Sequence, residues 1–194
     1  AGVIRSFIEN KMYADTQPTK LYYITPCFRY ERPQAGRQRQ FHQFGIEVLG
    51  SDGPSVDAEV ISLAVQFFNE MGLKNLSVNI NSVGCPTCRE EYNRKLKEYL
   101  DKKVDVLCET CLERKDKNPM RVIDCKNPHC KENLQDIPFM IDHLCEDCKD
   151  HFDKLQTYLK EMDINYVVDK TIVRGLDYYK KTAFEIISND IGSQ

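Results

Sequence analysis

Apolar and polar positions recur along this chain with two different periods, and the points where the period changes outline its elements. Val3, Ile4, Phe7, Ile8 and Met12 fall near helical spacing, which predicts an amphipathic helix over 1–12. From Leu21 to Glu31 the period is two. Tyr22, Ile24, Phe28 and Tyr30 share one parity while Thr25, Cys27, Arg29 and Glu31 share the other, the pattern of a strand covered on its apolar face and free for chemistry on the opposite one. Turn formers over 33–39 interrupt it, and a second alternating run from Phe41 to Leu49 completes a β-hairpin with a long basic loop. On the return strand Phe44, Ile46 and Val48 face the core, whereas Phe41, Gln43, Gly45 and Glu47 face away. Gly45 removes a side chain from the middle of that polar face, which predicts room for something to lie on the sheet.

Helical spacing returns at Val56, Val60, Leu63, Ala64, Phe67, Phe68 and Met71, with Ser55 or Asp57 as the expected cap and Gly72 as the stop. A short strand over 76–80 comes next. Beyond Gly84 the chain turns into Lys/Glu-rich helix fragments punctuated by cysteines up to about residue 149. Phe152, Leu155, Leu159 and Met162 then restore an ordinary helix stripe, and strands are expected over 166–168 and 183–187. The predicted fold class is α+β: a mainly antiparallel sheet flanked by helices, present in part, with a small, mainly helical, cysteine-rich insertion. Its segments are 1–84 and 150–194 for the core and 85–149 for the insertion.

Charge changes this picture little. The net charge is −3 over 194 residues, and a local patch can grip a polyanion on an acidic protein. No apolar run approaches the ~20 residues of a membrane span, so the expected location is the cytoplasm. The chain opens without Met and stops just after a predicted strand, which predicts a piece of a longer protein.

Cysteine changes it a great deal. Eight of the nine cysteines fall into close pairs, Cys85/Cys88, Cys108/Cys111, Cys125/Cys130 and Cys145/Cys148. Two thiolates two residues apart chelate one edge of a zinc tetrahedron. The first two pairs, separated by 19 residues, match a zinc-ribbon spacing, and the last two, separated by 14, would make a second site with a wider first bite. Four pairs nevertheless combine into two sites in three ways, and spacing does not choose among them. His129 is a substitute ligand; disulfides and free buried thiols are the rival readings. Zinc here would be structural, because an insertion this rich in charge is expected to have little core of its own. Cys27, the unpaired ninth, reads as a packing residue.

The stretch from Phe28 to Gln43 carries four arginines and one glutamate within 16 residues. Planar guanidinium forks suit phosphate oxygens, and an aromatic beside them stacks a base, so the loop suggests nucleotide binding; its plain reading is a solvated basic loop. The order Phe28-Arg29-Tyr30-Glu31-Arg32-Pro33 … Gly36-Arg37-Gln38-Arg39-Gln40-Phe41-His42-Gln43 resembles motif 2 of class II aminoacyl-tRNA synthetases in its histidine-specific form. Val173-Arg174-Gly175-Leu176-Asp177-Tyr178-Tyr179, followed by Thr182-Ala183-Phe184-Glu185, is similar to the signature peptide of histidyl-tRNA synthetases. Ala1 to Arg5 and Asn79 to Gly84 resemble the same family, and the likeness is weakest over 85–149.

That resemblance implies ATP-dependent activation of histidine, with Mg2+, to histidyl-adenylate and transfer of histidine to the 3′ end of its tRNA by a homodimer. It implies that Arg29 bridges the amino-acid carboxylate and the α-phosphate, and that Arg174 binds the same phosphate from the other side. Arg37 would reach the terminal phosphates, Phe41 would stack on adenine and Glu31 would position it. Gln43 and Glu47 would hold the polar groups of histidine, with Tyr178 and Tyr179 closing the imidazole end; the rival reading of either tyrosine is core, and Asp177 reads equally as a turn or cap residue and as a ligand. The family's insertion lies near the tRNA acceptor arm, where Arg114, Lys115, Lys117 and Arg121 would meet phosphates. Residues 89–148 hold 12 basic and 14 acidic side chains, however, so the footprint for RNA is weak. Nothing in the chain resembles class II motif 1, the motif 3 helix or an anticodon-binding domain. Two other functions compete: a catalytically silent regulatory subunit of histidine biosynthesis, and a zinc-dependent nucleic-acid-binding module.

Overall fold

A computed structural model describes residues 2–175 and 178–188. The chain divides into two compact units, residues up to Leu76 with the stretch from Ser188, and Ser77–Ile187. The division falls eight residues before the boundary expected at Gly84, because the strand leading into the cysteine-rich segment belongs to the same unit as that segment.

In the first unit, helix α1 (Gly2–Glu9) precedes a long antiparallel hairpin, β1 (Thr19–Phe28) and β2 (Gln40–Leu49). Its register pairs Leu21 with Glu47, Tyr23 with Gly45, Thr25 with Gln43 and Cys27 with Phe41, so these eight share one face. Helix α2 (Pro54–Glu70) crosses the other face. Phe67 stacks on Phe44 with centroids 5.0 Å apart, Phe44 meets Tyr22 at 6.5 Å, and Lys20 pairs with Glu59. The cap of α2 is Gly53 with Pro54 at the first helical position; Ser55 and Asp57 fall inside the first turn instead. Gly72 at φ +86 does end it: its N–H bonds to the Asn69 carbonyl and that of Leu73 to Phe68, closing a Schellman turn.

Which hairpin face is covered differs from the expectation. Tyr22, Ile24, Phe28 and Tyr30 are exposed, and their opposite-parity neighbours Tyr23, Thr25 and Cys27 are half-buried. The reason is reach. Helix α2 packs against the end of the apolar face nearest Ile46 and Val48, and no described element of this unit extends to Ile24 or Phe28.

The second unit is built on β3 (Leu76–Ser82), central between β4 (Tyr166–Val168) and β5 (Thr182–Ser188). β3 and β4 run parallel, pairing Val78 with Tyr166 and Ile80 with Val168. Parallel neighbours need a crossover, and here the crossover contains the whole cysteine-rich segment: α3 (Pro86–Asp101), α4 (Glu109–Lys117), α5 (Pro128–Asn133) and then α6 (Glu146–Glu161). Leu155 and Leu159 of α6 are fully buried, as is Ile80 of the sheet.

Contrary to the expectation of little core, the insertion has a contiguous one. Cys88, Tyr92, Leu96 and Leu100 recur every fourth residue on α3 and are buried together with Leu107, Met120, Val122, Leu134, Ile137 and Met140. The high charge content sits on the outside. Burying three full side chains from one helix stripe is worth roughly 5–9 kcal/mol by transfer alone. The Tyr92 hydroxyl, whose pKa is raised by burial, donates to the Pro138 carbonyl at 2.8 Å, so this hydroxyl is satisfied inside the core.

Candidate catalytic face and cysteine clusters

The face that the alternating pattern left for chemistry is a shallow cavity of about 510 Å³ between α1 and the hairpin, lined by Gly2, Val3, Ser6, Tyr23, Thr25, Cys27, Gln43 and Glu47. Gln43 and Glu47 are where the register predicts. Tyr23 is a member that sequence reasoning missed. Gln43 Nε2 lies 3.4 Å from Tyr23 Oη, and the Cys27 thiol lies 3.5 Å from Gln43 Oε1. Gly45 has a different use from the one expected: a Cβ there would sit 2.2 Å from the Tyr23 ring, so the space it leaves is filled by this chain's own tyrosine. Cys27, read as a packing residue, is half-buried on the sheet and also lines the cavity.

Further along the same face the Arg29 guanidinium lies over the Phe41 ring, 3.9 Å from its centroid. Arg29 N–H donates to the Arg39 carbonyl at 2.8 Å, which carries the hairpin pairing one step past β1 and aims the side chain back across the sheet. Arg37 and Glu31 form an ion pair at 2.8 Å, both partners about half exposed. Arg39 Nε also reaches the Glu31 carbonyl at 3.3 Å. The four residues expected to meet ATP are thus paired with one another, Arg29 with Phe41 and Arg37 with Glu31.

Arg174, Tyr178 and Tyr179 belong to the second unit. Arg174 donates to Glu185 Oε1 at 2.9 Å and to the Phe184 carbonyl, so it is docked on β5 by the glutamate that closes the signature. The motif gives Glu185 no role by itself: eleven residues separate it from Arg174, too far for a local signal, and only β5 brings it near. Tyr178 and Tyr179 stack at 4.7 Å and are 69% and 40% exposed, which removes the core reading for both. Leu176 and Asp177 lie outside the described residues.

The eight paired cysteines form two groups, and the grouping is nested. Cys85 and Cys88 meet Cys145 and Cys148, while Cys108 and Cys111 meet Cys125 and Cys130, with all four sulfurs of each group within 4.8 Å of one another. The zinc-ribbon pairing of 85/88 with 108/111 does not occur. Cys85, Cys108 and Cys145 are each the residue immediately preceding a helix, α3, α4 and α6, and the second cysteine of each pair sits in the first turn. In the first turns of α3 and α4 the backbone N–H groups of Cys88 and Cys111 point at the sulfurs of Cys85 and Cys108. Backbone donors also cross between pairs: Cys145 N–H to Cys88 Sγ at 3.0 Å, and Cys108 N–H to Cys130 Sγ at 3.2 Å.

These contacts set the acidities. The Cys88 backbone N–H pulls the Cys85 thiol down to about 6, and that of Cys111 pulls Cys108 down to about 7. Burial pushes Cys88, Cys111, Cys130 and Cys148 up. Sulfur separations of 3.5 Å for Cys85 to Cys88, and 3.9 Å for Cys85 to Cys145 and for Cys108 to Cys125, bracket the ~3.8 Å edge of a tetrahedron with 2.3 Å metal–sulfur bonds. A soft divalent cation fits both donor sets. All nine cysteines are free thiols, and His129 is exposed and outside both groups.

The architecture is that of a class II aminoacyl-tRNA synthetase catalytic domain in part. Over 95% of this chain and 43% of the other, it superposes on apo histidyl-tRNA synthetase of S. aureus with a TM-score of 0.74 at 39% identity. The family model described as histidyl-tRNA synthetase matches residues 3–194, and the chain belongs to that family. It is 80% identical over all 194 residues to the histidine–tRNA ligase of Clostridioides difficile, and 56% identical over 191 residues to that of Caldanaerobacter subterraneus. In both cases it spans 46% of the relative's length. A Bacillus halodurans protein described as ATP phosphoribosyltransferase regulatory subunit/histidyl-tRNA synthetase shares the fold, with a TM-score of 0.58 at 19% identity. No helix among the described residues is long and apolar enough to cross a membrane.

Proposed function

We propose that this chain is the part of a histidine–tRNA ligase that holds histidine and the α-phosphate of ATP. The observation that carries the reading is the single hairpin face on which the Tyr23–Gln43–Glu47 cavity continues into Arg29 and Phe41. Attack of a carboxylate on a phosphate anion brings like charges together, so the site must supply positive charge where the transition state gathers negative charge. Arg29 bridges the histidine carboxylate and the α-phosphate, and Arg174 stabilises the same phosphate. When ATP arrives as its Mg2+ complex, the Arg29 guanidinium leaves the face of Phe41 for phosphate and adenine takes its place on the ring. Arg37 exchanges Glu31 for the terminal phosphates, and Glu31 is released to position adenine.

Histidine binds with its ammonium and imidazole against Glu47, Gln43 and the Tyr23 hydroxyl, while Tyr178 and Tyr179 close the imidazole end. A polar pocket of this kind rejects amino acids that leave its groups unpaired by about 10⁴-fold or more. The acceptor is the tRNA specific for histidine, and the full-length protein works as a cytoplasmic homodimer. Residues 85–149 are an insertion in the catalytic core, folded around two structural zinc ions held by Cys85, Cys88, Cys145 and Cys148 and by Cys108, Cys111, Cys125 and Cys130. The zinc supplies charge compensation for thiolates that burial otherwise keeps protonated.

The test is ATP–pyrophosphate exchange on the full-length protein with each amino acid in turn. Exchange with histidine alone, lost in Arg174→Ala, is the expected result. A folded, zinc-loaded protein that exchanges with no amino acid would sink the ligase reading in favour of a regulatory subunit.

A further inference from the structure

The stretch from Asp169 to Lys181, which carries the signature, is braced at successive points by side chains of the second unit. Asn81, buried beside the end of β3, donates to the Ile172 carbonyl at 2.9 Å. Lys170 pairs with Asp142 at 2.8 Å. Val173 packs on the insertion core. The chain is then met by two arginines, each tied to the cysteine framework. Arg121 sits in a short turn, Pro119–Val122, between buried Met120 and Val122, and its carbonyl accepts from Arg114 of α4 at 3.1 Å. Its Nη1 lies 2.7 Å from where a Cβ on Gly175 would be, closer than a Cβ tolerates, so the absence of a side chain at Gly175 is what admits the guanidinium. Arg121 Nε is buried with no hydrogen-bond partner among the described residues, a cost that a merely solvated arginine would not bear. Arg89, one residue after Cys88 on α3, donates to the Tyr179 carbonyl.

We propose that Arg121 and Arg89 are positioning residues for histidine activation: the two thiolate clusters hold them, and they hold the signature loop on both sides of its centre. This rests on the ligase reading of Arg174, Tyr178 and Tyr179. Arg121 supports the main chain next to Arg174, so it acts on the group that meets the developing charge. Arg89 supports the main chain of Tyr179, so it acts on the group that holds the substrate. A fixed backbone matters because a displacement of about 1 Å at a reacting group costs up to 100-fold in rate. Zinc loading is thereby linked to catalysis through two named side chains, beyond its role in folding the insertion.

The experiment uses the full-length protein carrying Arg121→Ala, Arg89→Ala, Arg121→Lys or Lys102→Ala, the last an exposed control on the far end of α3. Zinc content, amide hydrogen exchange over 173–181 and histidine-dependent pyrophosphate exchange are measured on the same samples. Expected for Arg121→Ala are unchanged zinc, faster amide exchange and a fall of about tenfold to 100-fold carried mainly by kcat. Arg89→Ala should instead raise the KM for histidine, Arg121→Lys should recover part of the loss, and Lys102→Ala should match wild type. Unaltered kinetics and amide protection in both arginine variants would overturn the proposal, and so would loss of zinc from them, which would make them structural parts of the insertion. Should the wild type exchange with no amino acid, the ligase reading fails, and amide protection over 173–181 still decides whether the arginines hold the loop.

Discussion

The hairpin unit and the cysteine-bearing unit contrast in how their functional side chains are held. In the hairpin unit only Ala58 and Ile61 are fully buried among the described residues, and the groups expected to meet ATP rest on one another. In the second unit Val173 of the signature packs on a core in which five of the eight paired cysteines are buried. A site that must admit a nucleotide needs side chains that can exchange partners, whereas a site that must aim one arginine needs a stiff frame. The contrast teaches that, on the proposed reading, the two units are suited to different tasks: exchangeable pairs at Arg29 and Arg37, and a braced Arg174.

The largest effect that would break this division is predicted at Arg29 and Arg174, the two arginines proposed to meet phosphate. Arg29→Ala and Arg174→Ala should each lower the rate of histidine-dependent pyrophosphate exchange by about 10²–10³ or more, the usual cost of one transition-state donor. If the comparison holds, Glu185→Gln should reproduce part of the Arg174 loss, because it loosens a braced group. Glu31→Gln should cost little in kcat and fall mainly on the KM for ATP, because on the proposed reading ATP replaces its pair with Arg37 and the freed carboxylate only positions adenine. Equal losses in the two glutamate variants would erase the distinction.

Next in size is the metal dependence. Cys111→Ser or Cys148→Ser should each remove about one zinc per chain and open the second unit to proteolysis, since structural zinc binding contributes on the order of 10 kcal/mol to folding. Cys27→Ser should leave zinc content unchanged, which metal analysis on purified full-length variants would show. Loss of zinc only when cysteines from 85/88 and 108/111 are changed together would contradict the nested grouping.

A smaller effect is expected from Gly45→Ala. The new Cβ overlaps the Tyr23 ring, so the ring must leave the cavity. The KM for histidine should rise about tenfold, within the 1–3 kcal/mol range of an overpacked position, while zinc content stays the same. Restored affinity in Gly45→Ala combined with Tyr23→Phe would show that the ring clash is not the cause.

These cases also mark what was legible beforehand. The period-two runs gave the hairpin and its polar face, since alternation is a local property of β1 and β2. They did not give which face would be covered, because that depends on how far α2 reaches. Tyr23 was hidden beside Tyr22 in the apolar run; the available signal was Gly45, which the register places directly opposite. The spacing of the cysteine pairs suggested metal ligands, but the nesting is decided by which helix N-termini meet, α3 with α6 in one group and α4 in the other, a feature of topology that no spacing carries. Likewise Glu185 and Arg121 acquire roles only when β5 and the insertion return to the signature.

The smallest predicted effect concerns pH in the second unit and sharpens the meaning of its stiffness. Asp169 comes directly after β4 and begins the braced stretch. Burial opposes its ionisation, but the Thr171 hydroxyl and N–H, at 2.6 and 2.9 Å, and the Asn79 amide at 3.3 Å outweigh that and hold its pKa below the ordinary 3.8. A carboxyl with a depressed folded pKa adds stability that is fully present above the unfolded value and is lost as the pH falls through the folded one. The contribution therefore spans neutral pH undiminished and fades only below about 4. Thiolates release zinc as they protonate, so melting of the wild type alone would mix the two effects. Comparing wild type with Asp169→Asn at fixed zinc occupancy isolates the carboxylate: the asparagine variant should melt lower near neutral pH, and the gap should narrow as the pH drops below 4. A gap that stays constant across that range would mean that the Thr171 and Asn79 donors serve the uncharged side chain equally well, and that the start of the signature stretch is held by packing without help from charge.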